Sequence, residues 1–234
     1  MTAVPPSSST DTLGFIANWL ESSNGVKDSL KLVRLSHEWT ALLNPGHEQH
    51  SAGYNLCKKM ITVLDLASFQ SDSLKFISNL ARGSESFKSP GFARELLDYT
   101  TSVAGATLDL EDLECIQLGS LSEKLSQFSI CSSLVTDSLD LHTELSCFYH
   151  RSEQLNSTIT AEEKSKLTNR IILSGFEVVK KICSWIKSIT EAVACFLKIT
   201  IISPLISAIL TTVSLAAKII KHFYYNFFVL NRNL

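Results

Sequence analysis

His47-Glu48-Gln49-His50 is the densest group of potential metal ligands in the chain. Two imidazoles three residues apart can share a divalent ion, with His37 or Cys57 as a third ligand. The spacing is not the helical H-E-x-x-H register, it sits beside Pro45-Gly46, and no residue supplies a fixed fourth ligand. A solvated loop is the expectation. His142 and His150 bracket Cys147, an arrangement in which an imidazole could activate a thiolate. A packed thiol on a helix surface accounts for the same spacing. The acids of Asp109-Leu-Glu-Asp-Leu-Glu114 lack the alternating oxygens and the glycine of a calcium loop. They are read instead as an acidic helix cap leading into Ile116-Gln-Leu118. No phosphate-binding, dinucleotide-binding or nucleophile-elbow glycine motif is present. Asn156-Ser-Thr158 fits a glycosylation acceptor, but residues 1–10 have neither the basic nor the apolar part of a secretory signal. The expectation is a protein without enzymatic activity, catalytic residues, metal or cofactor.

The elements that would carry any such groups are helical. Of 234 residues, 45% are hydrophobic and 19% charged, too apolar for a disordered chain. Only 5 prolines and 9 glycines are available for turns, which favours a few long helices. Residues 1–10 read as a disordered leader. A first helix is expected from residue 11 to about Leu20, closed by Asn24-Gly25, and a second from Val26 to about Leu43, closed by Asn44-Pro45-Gly46. Leu56, Met60, Val63, Leu64 and Ala67 mark a third over 52–69. Ser71-Asp72 would cap a fourth, with Leu74, Ile77 and Leu80 inward. Residues 83–90 read as a linker. Helices then follow over 91–107 and 120–156, and Thr160 with Glu163 forms a capping box that opens a long helix through Ile189. The six cysteines stand singly in apolar stretches and are expected to be reduced and packed.

Charge is uneven. Residues 1–150 hold 18 acidic and 10 basic residues, while residues 151–234 hold 5 and 11, with no acid after Glu191. The overall net charge of −2 argues against nucleic-acid binding. The acidic front suits a protein partner, and the basic, apolar rear suits an anionic membrane surface.

From Ile199 to Ala217 no residue is charged. Nineteen helical residues reach ~28 Å, close to the thickness of a hydrocarbon core. Lys198, Lys218, Lys221, Tyr224 and Tyr225 flank this run as an interfacial belt would. Pro204 falls in its first turns, where a membrane helix tolerates it. Ser203, Ser207 and Thr211 recur every four residues beside the row Ala208, Thr212 and Ala216, a face suited to close pairing with a second copy or with the preceding helix. The competing explanation is the buried central helix of a soluble binding or chaperone-like bundle.

The Ser/Thr/Pro-rich start and the apolar region over 192–230 resemble the inclusion-membrane proteins that chlamydiae export by type III secretion. That resemblance implies insertion in a host vacuole or another intracellular membrane. Their hydrophobic domain is bilobed, whereas here 171–190 is interrupted by Glu177, Lys180-Lys181 and Lys187. The pattern Phe15, Lys27-Asp28 and Leu42-Leu43 with a late apolar span is similar to the peroxisomal membrane-elongation peroxins. Together these readings predict an all-α protein: a leader over 1–10, a helical bundle over 11–156, and over 157–234 a long helix leading into a membrane-seeking helix or helical hairpin. The role expected is a membrane-anchored adaptor or membrane-shaping protein.

Overall fold

Thr160 opens the longest uninterrupted run of amphipathic sequence, and its local chemistry explains why the chain turns helical there. Its Oγ1 accepts from the Glu163 backbone N–H at 3.3 Å and donates to the Glu163 carboxylate at 2.6 Å. One of the unpaired donors of the first turn is thereby satisfied, and two acids sit at the positive end of the dipole. In the computed structural model, which describes residues 23–44, 52–81, 91–157, 160–199 and 203–225, the chain is all-α. The described helices are α1 (Ser23–Leu43), α2 (Ala52–Ala81), α3 (Phe92–Asp112), α4 (Ser120–Ser157), α5 (Ala161–Leu197) and α6 (Pro204–Tyr224). The expected first helix over residues 11–20, the Pro45-Gly46 stop and the linker over 83–90 lie outside the described residues.

The chain divides into two compact units, Met1–Ser68 and Phe69–Leu234, with the division inside α2. In the first unit, Leu35 of α1 and Cys57 and Ile61 of α2 are buried, and Lys27 pairs with Asp65. Helix α2 runs unbroken through Ser71-Asp72, so no cap separates two helices there. Asp72 instead pairs with Lys75 at 3.2 Å on an exposed surface. The inward face of α2 also differs from the expectation. Phe76 is buried, whereas Leu74 and Ile77 are 64% and 55% exposed.

The second unit is built in chain order, with α3 packed on α4, α4 on α5 and α5 on α6. Interhelical bonds fix each pair as antiparallel. Thr136 of α4 donates to Asp98 of α3 at 3.2 Å, and Arg94 reaches Asp140. Trp185 Nε1 of α5 donates to Ser138 of α4 at 3.0 Å, Lys181 pairs with Asp140, and Ser188 donates to Asp137. Tyr99 of α3 stacks on Phe76 of α2 with ring centroids 4.2 Å apart. The most extensive packing in the unit is that of α4 on α5, two helices that lie on either side of the expected boundary between residues 156 and 157.

The acids at 109–114 take a different place from the one expected. Asp109, Glu111 and Asp112 form the last turn of α3, which continues to Asp112. Glu111 folds across the connection and accepts from the Leu118 N–H at 3.1 Å and the Ser122 hydroxyl at 2.5 Å. The carboxylate thus serves a helix N-terminus, that of α4, from outside its own sequence run. Glu114 and Gly119 make the turn possible with φ of 62° and 57°; the first carries the cost of a left-handed conformation with a side chain, the second does not.

Candidate functional site: an uncovered apolar helix face

Helix α6 begins later than the uncharged run suggests. Lys198 ends α5 in the left-handed conformation, at φ 55° and ψ 28°. Ser203 is the N-cap of α6, accepting from the Ile206 N–H at 3.4 Å, and Pro204 is its first residue. Proline is preorganised for that position because the N–H it lacks would be unpaired there anyway. The apolar helix is therefore residues 204–224 rather than 199–217, and Lys218 and Lys221 lie inside it. Residues 192–197 belong to α5 and do not lengthen it.

Side chains placed by sequence as flanks take several roles. Lys221 Nζ lies 2.6 Å from Glu177 Oε1 of α5. Tyr224 donates to Asn169 at 2.8 Å and rests near Phe176, with ring centroids 6.5 Å apart. Lys198 is exposed and 3.5 Å from Glu123 of α4. Lys218 is half-buried, and Tyr225 is exposed at the end of the helix. These contacts set α6 antiparallel along α5, so Lys221 and Tyr224 hold the hairpin together.

Glu177 is the hinge of that electrostatic arrangement. Burial pushes its carboxyl upward, but hydrogen bonds and charge from Lys221 and Lys180 outweigh this and hold it below its ordinary value. Lys180 lies 3.1 Å away. One carboxylate thus answers two ammonium groups. On the same helix, burial pushes the Cys183 thiol up.

The expected pairing face splits between capping and packing. Ser203 caps, while Ser207 and Thr211 are half-buried. Thr211 and Thr212 turn their hydroxyls to the Ser207 and Ala208 carbonyls at 2.9 and 2.7 Å. Satisfying a hydroxyl on its own helix lowers the cost of placing it in apolar surroundings. Ala208, Leu215 and Ala217 are the buried residues of α6, at 3%, 7% and 4% exposure.

The other side of α6 is uncovered. Ile206, Ile209, Val213, Ala216 and Ile220 are all exposed. Their spacing of three and four residues places them on one face. The most apolar window of α6 has a mean hydropathy of 1.5 and is 17% buried. Ala208, Leu215 and Ala217 belong to the buried core, while the outer face of the same helix is exposed. By length and composition α6 is long and apolar enough to cross a membrane.

His47 and His50 lie outside the described residues. His142 and His150 are exposed, with His150 Nδ1 3.9 Å from Glu153. Among the described residues, no group of three His, Cys, Asp or Glu side chains gathers as a metal site. Cys57 and Cys183 are buried, Cys147 and Cys195 half-buried, and Cys115 and Cys131 exposed, so packing describes only some of the thiols. Compared with known proteins, the chain matches no family model, no curated protein and no solved structure.

Proposed function

We propose that this chain is a non-catalytic, membrane-associated helical adaptor whose membrane-contacting element is α6. The observation that carries the reading is the uncovered apolar face of a 21-residue helix whose apolar window is 17% buried. Exposed large apolar side chains also occur on other described helices, Leu56, Met60 and Val63 of α2 among them, and α6 is set apart by a length and composition sufficient to cross a membrane. Charge supports the same reading. Residues 151–234 carry a net charge of +6, from 11 basic and 5 acidic residues, and each lysine near an anionic leaflet contributes ~1 kcal/mol. The acidic residues 1–150 would then face a protein partner, which makes the chain an adaptor. The resemblance of residues 1–10 and 192–230 to exported inclusion-membrane proteins points the same way.

Fractionation of cells expressing the full chain tests this. The protein should sediment with membranes, resist release by high salt, and enter the supernatant with detergent. Recovery in the soluble fraction without detergent would contradict the reading.

A further inference from the structure

We propose that α6 exchanges between two copies of this chain, giving a twofold-symmetric dimer in which the α6 of each copy packs on the α5 of the other. The connection between the two helices is strained. Lys198 closes α5 at φ 55° and ψ 28°, a left-handed conformation that helices usually give to glycine at this place. For a residue with a Cβ that conformation costs energy, and opening the connection releases it. The sequence that follows offers no turn chemistry. Ile199-Thr-Ile-Ile202 is β-branched at every position and holds no glycine, asparagine or aspartate, so it favours extended chain over a tight reversal. Pro204 then opens α6. A tight connection under strain between two packed helices is the arrangement that invites exchange between copies.

Helix α6 also loses little by changing partners. Among the described helices, its extensive packing is on α5 and on no other. The contacts that hold it are side-chain matches along one face. Lys221 meets Glu177 at 2.6 Å, Tyr224 meets Asn169 at 2.8 Å and rests near the Phe176 ring, and Ala208, Leu215 and Ala217 are buried. Each of these contacts can form with the identical α5 of a second copy. Exchange therefore keeps the α5–α6 interface and removes the left-handed turn from both chains. The pair is closed, because each copy gives one α6 and receives one. The outer apolar face of α6 takes no part, so the exchange is independent of what that face contacts.

Two charge-reversal variants of the full chain, Glu177→Lys and Lys221→Glu, provide the test. Each alone sets like charges against each other across α5 and α6. When the two are co-expressed in equal amounts and purified in mild detergent, exchange of α6 restores an opposite-charge pair at both junctions of a mixed dimer. It restores none in a dimer of one variant. Native mass spectrometry should therefore find mixed dimers well above the share expected from random association. In the otherwise unchanged chain, Lys198→Gly removes the strain of the closed turn and should weaken dimerisation about thirtyfold, about fivefold for each of two hinges. Lys198→Val, whose branched side chain is costlier at positive φ, should strengthen it. A random share of mixed dimers would overturn the exchange, since dimers formed through any other face leave each chain its own like-charge contact. So would a wild-type chain and a Lys198→Val chain that both stay monomeric at every protein concentration, or dimerisation indifferent to Lys198→Gly.

Discussion

Lys221 and Glu177 meet at 2.6 Å across the α5–α6 hairpin, and this pair converts a residue that looks like a membrane flank into an interhelical tie. Because the folded Glu177 carboxyl lies below its ordinary value, its stabilisation is complete above the unfolded carboxylate range and is lost as pH falls through the lowered value. The hairpin should therefore hold its full stability above about pH 5 and weaken below about pH 4. Thermal melts across this range should show the loss, and Glu177→Gln should reduce the acid dependence. An unchanged acid dependence in that variant would move the effect to other carboxylates.

Asp140 binds Arg94 of α3 and Lys181 of α5 from its place on α4, with its side chain only 16% exposed. Asp140→Ala would leave both cations without their shared acceptor and should cost about 2 kcal/mol, in the range for hydrogen bonds to charged groups. Glu123→Ala should change stability by less than about 0.5 kcal/mol, because the Glu123–Lys198 pair is 68% and 74% exposed. Urea unfolding followed by circular dichroism measures both. Equal effects of the two substitutions would contradict the role assigned to Asp140.

Thiol reactivity should follow burial. Cys115 and Cys131 are exposed, while Cys57 and Cys183 are buried and burial raises the Cys183 thiol. Since the thiolate is the reacting form, alkylation of the folded chain should proceed first at Cys115 and Cys131 and last at Cys57 and Cys183. Peptide mapping by mass spectrometry after timed alkylation reads the order. Labelling of Cys183 as fast as Cys131 would show that α4 and α5 do not shield it.

Local chemistry was the legible part of this fold. Thr160 and Glu163 announce the start of α5 because a cap is made by residues three apart. Ser203-Pro204 carries an equally local start signal, but the uncharged run around it suggested a helix already under way at Ile199. Ser71-Asp72 had the composition of a cap, yet tertiary packing around Phe76 and Tyr99 accompanies an unbroken α2. Spacing predicts Leu74 and Ile77 inward, yet both are exposed, because helical spacing identifies a face without saying which face is covered. The same limit applies to α6. Apolar residues occur around much of its circumference, and the packing of α5 separates covered Ala208 and Leu215 from uncovered Ile209 and Val213. Asp140 carries no local signal of its junction, because its partners lie 46 and 41 residues away.

Ile209 and Val213 give the most direct test of α6 as the membrane-contacting element. They are 42% and 40% exposed, so Ile209→Asp with Val213→Asp places charge on the outer face while sparing the packing on α5. Charge on the apolar face of a surface-binding helix opposes its burial at the lipid boundary. Flotation of the full chain with phosphatidylcholine–phosphatidylserine vesicles is the measurement, with circular dichroism confirming unchanged helicity. The wild-type chain should float with the vesicles and the double variant should remain at the bottom of the gradient. A double variant that floats as well as the wild type would contradict α6 as the membrane contact.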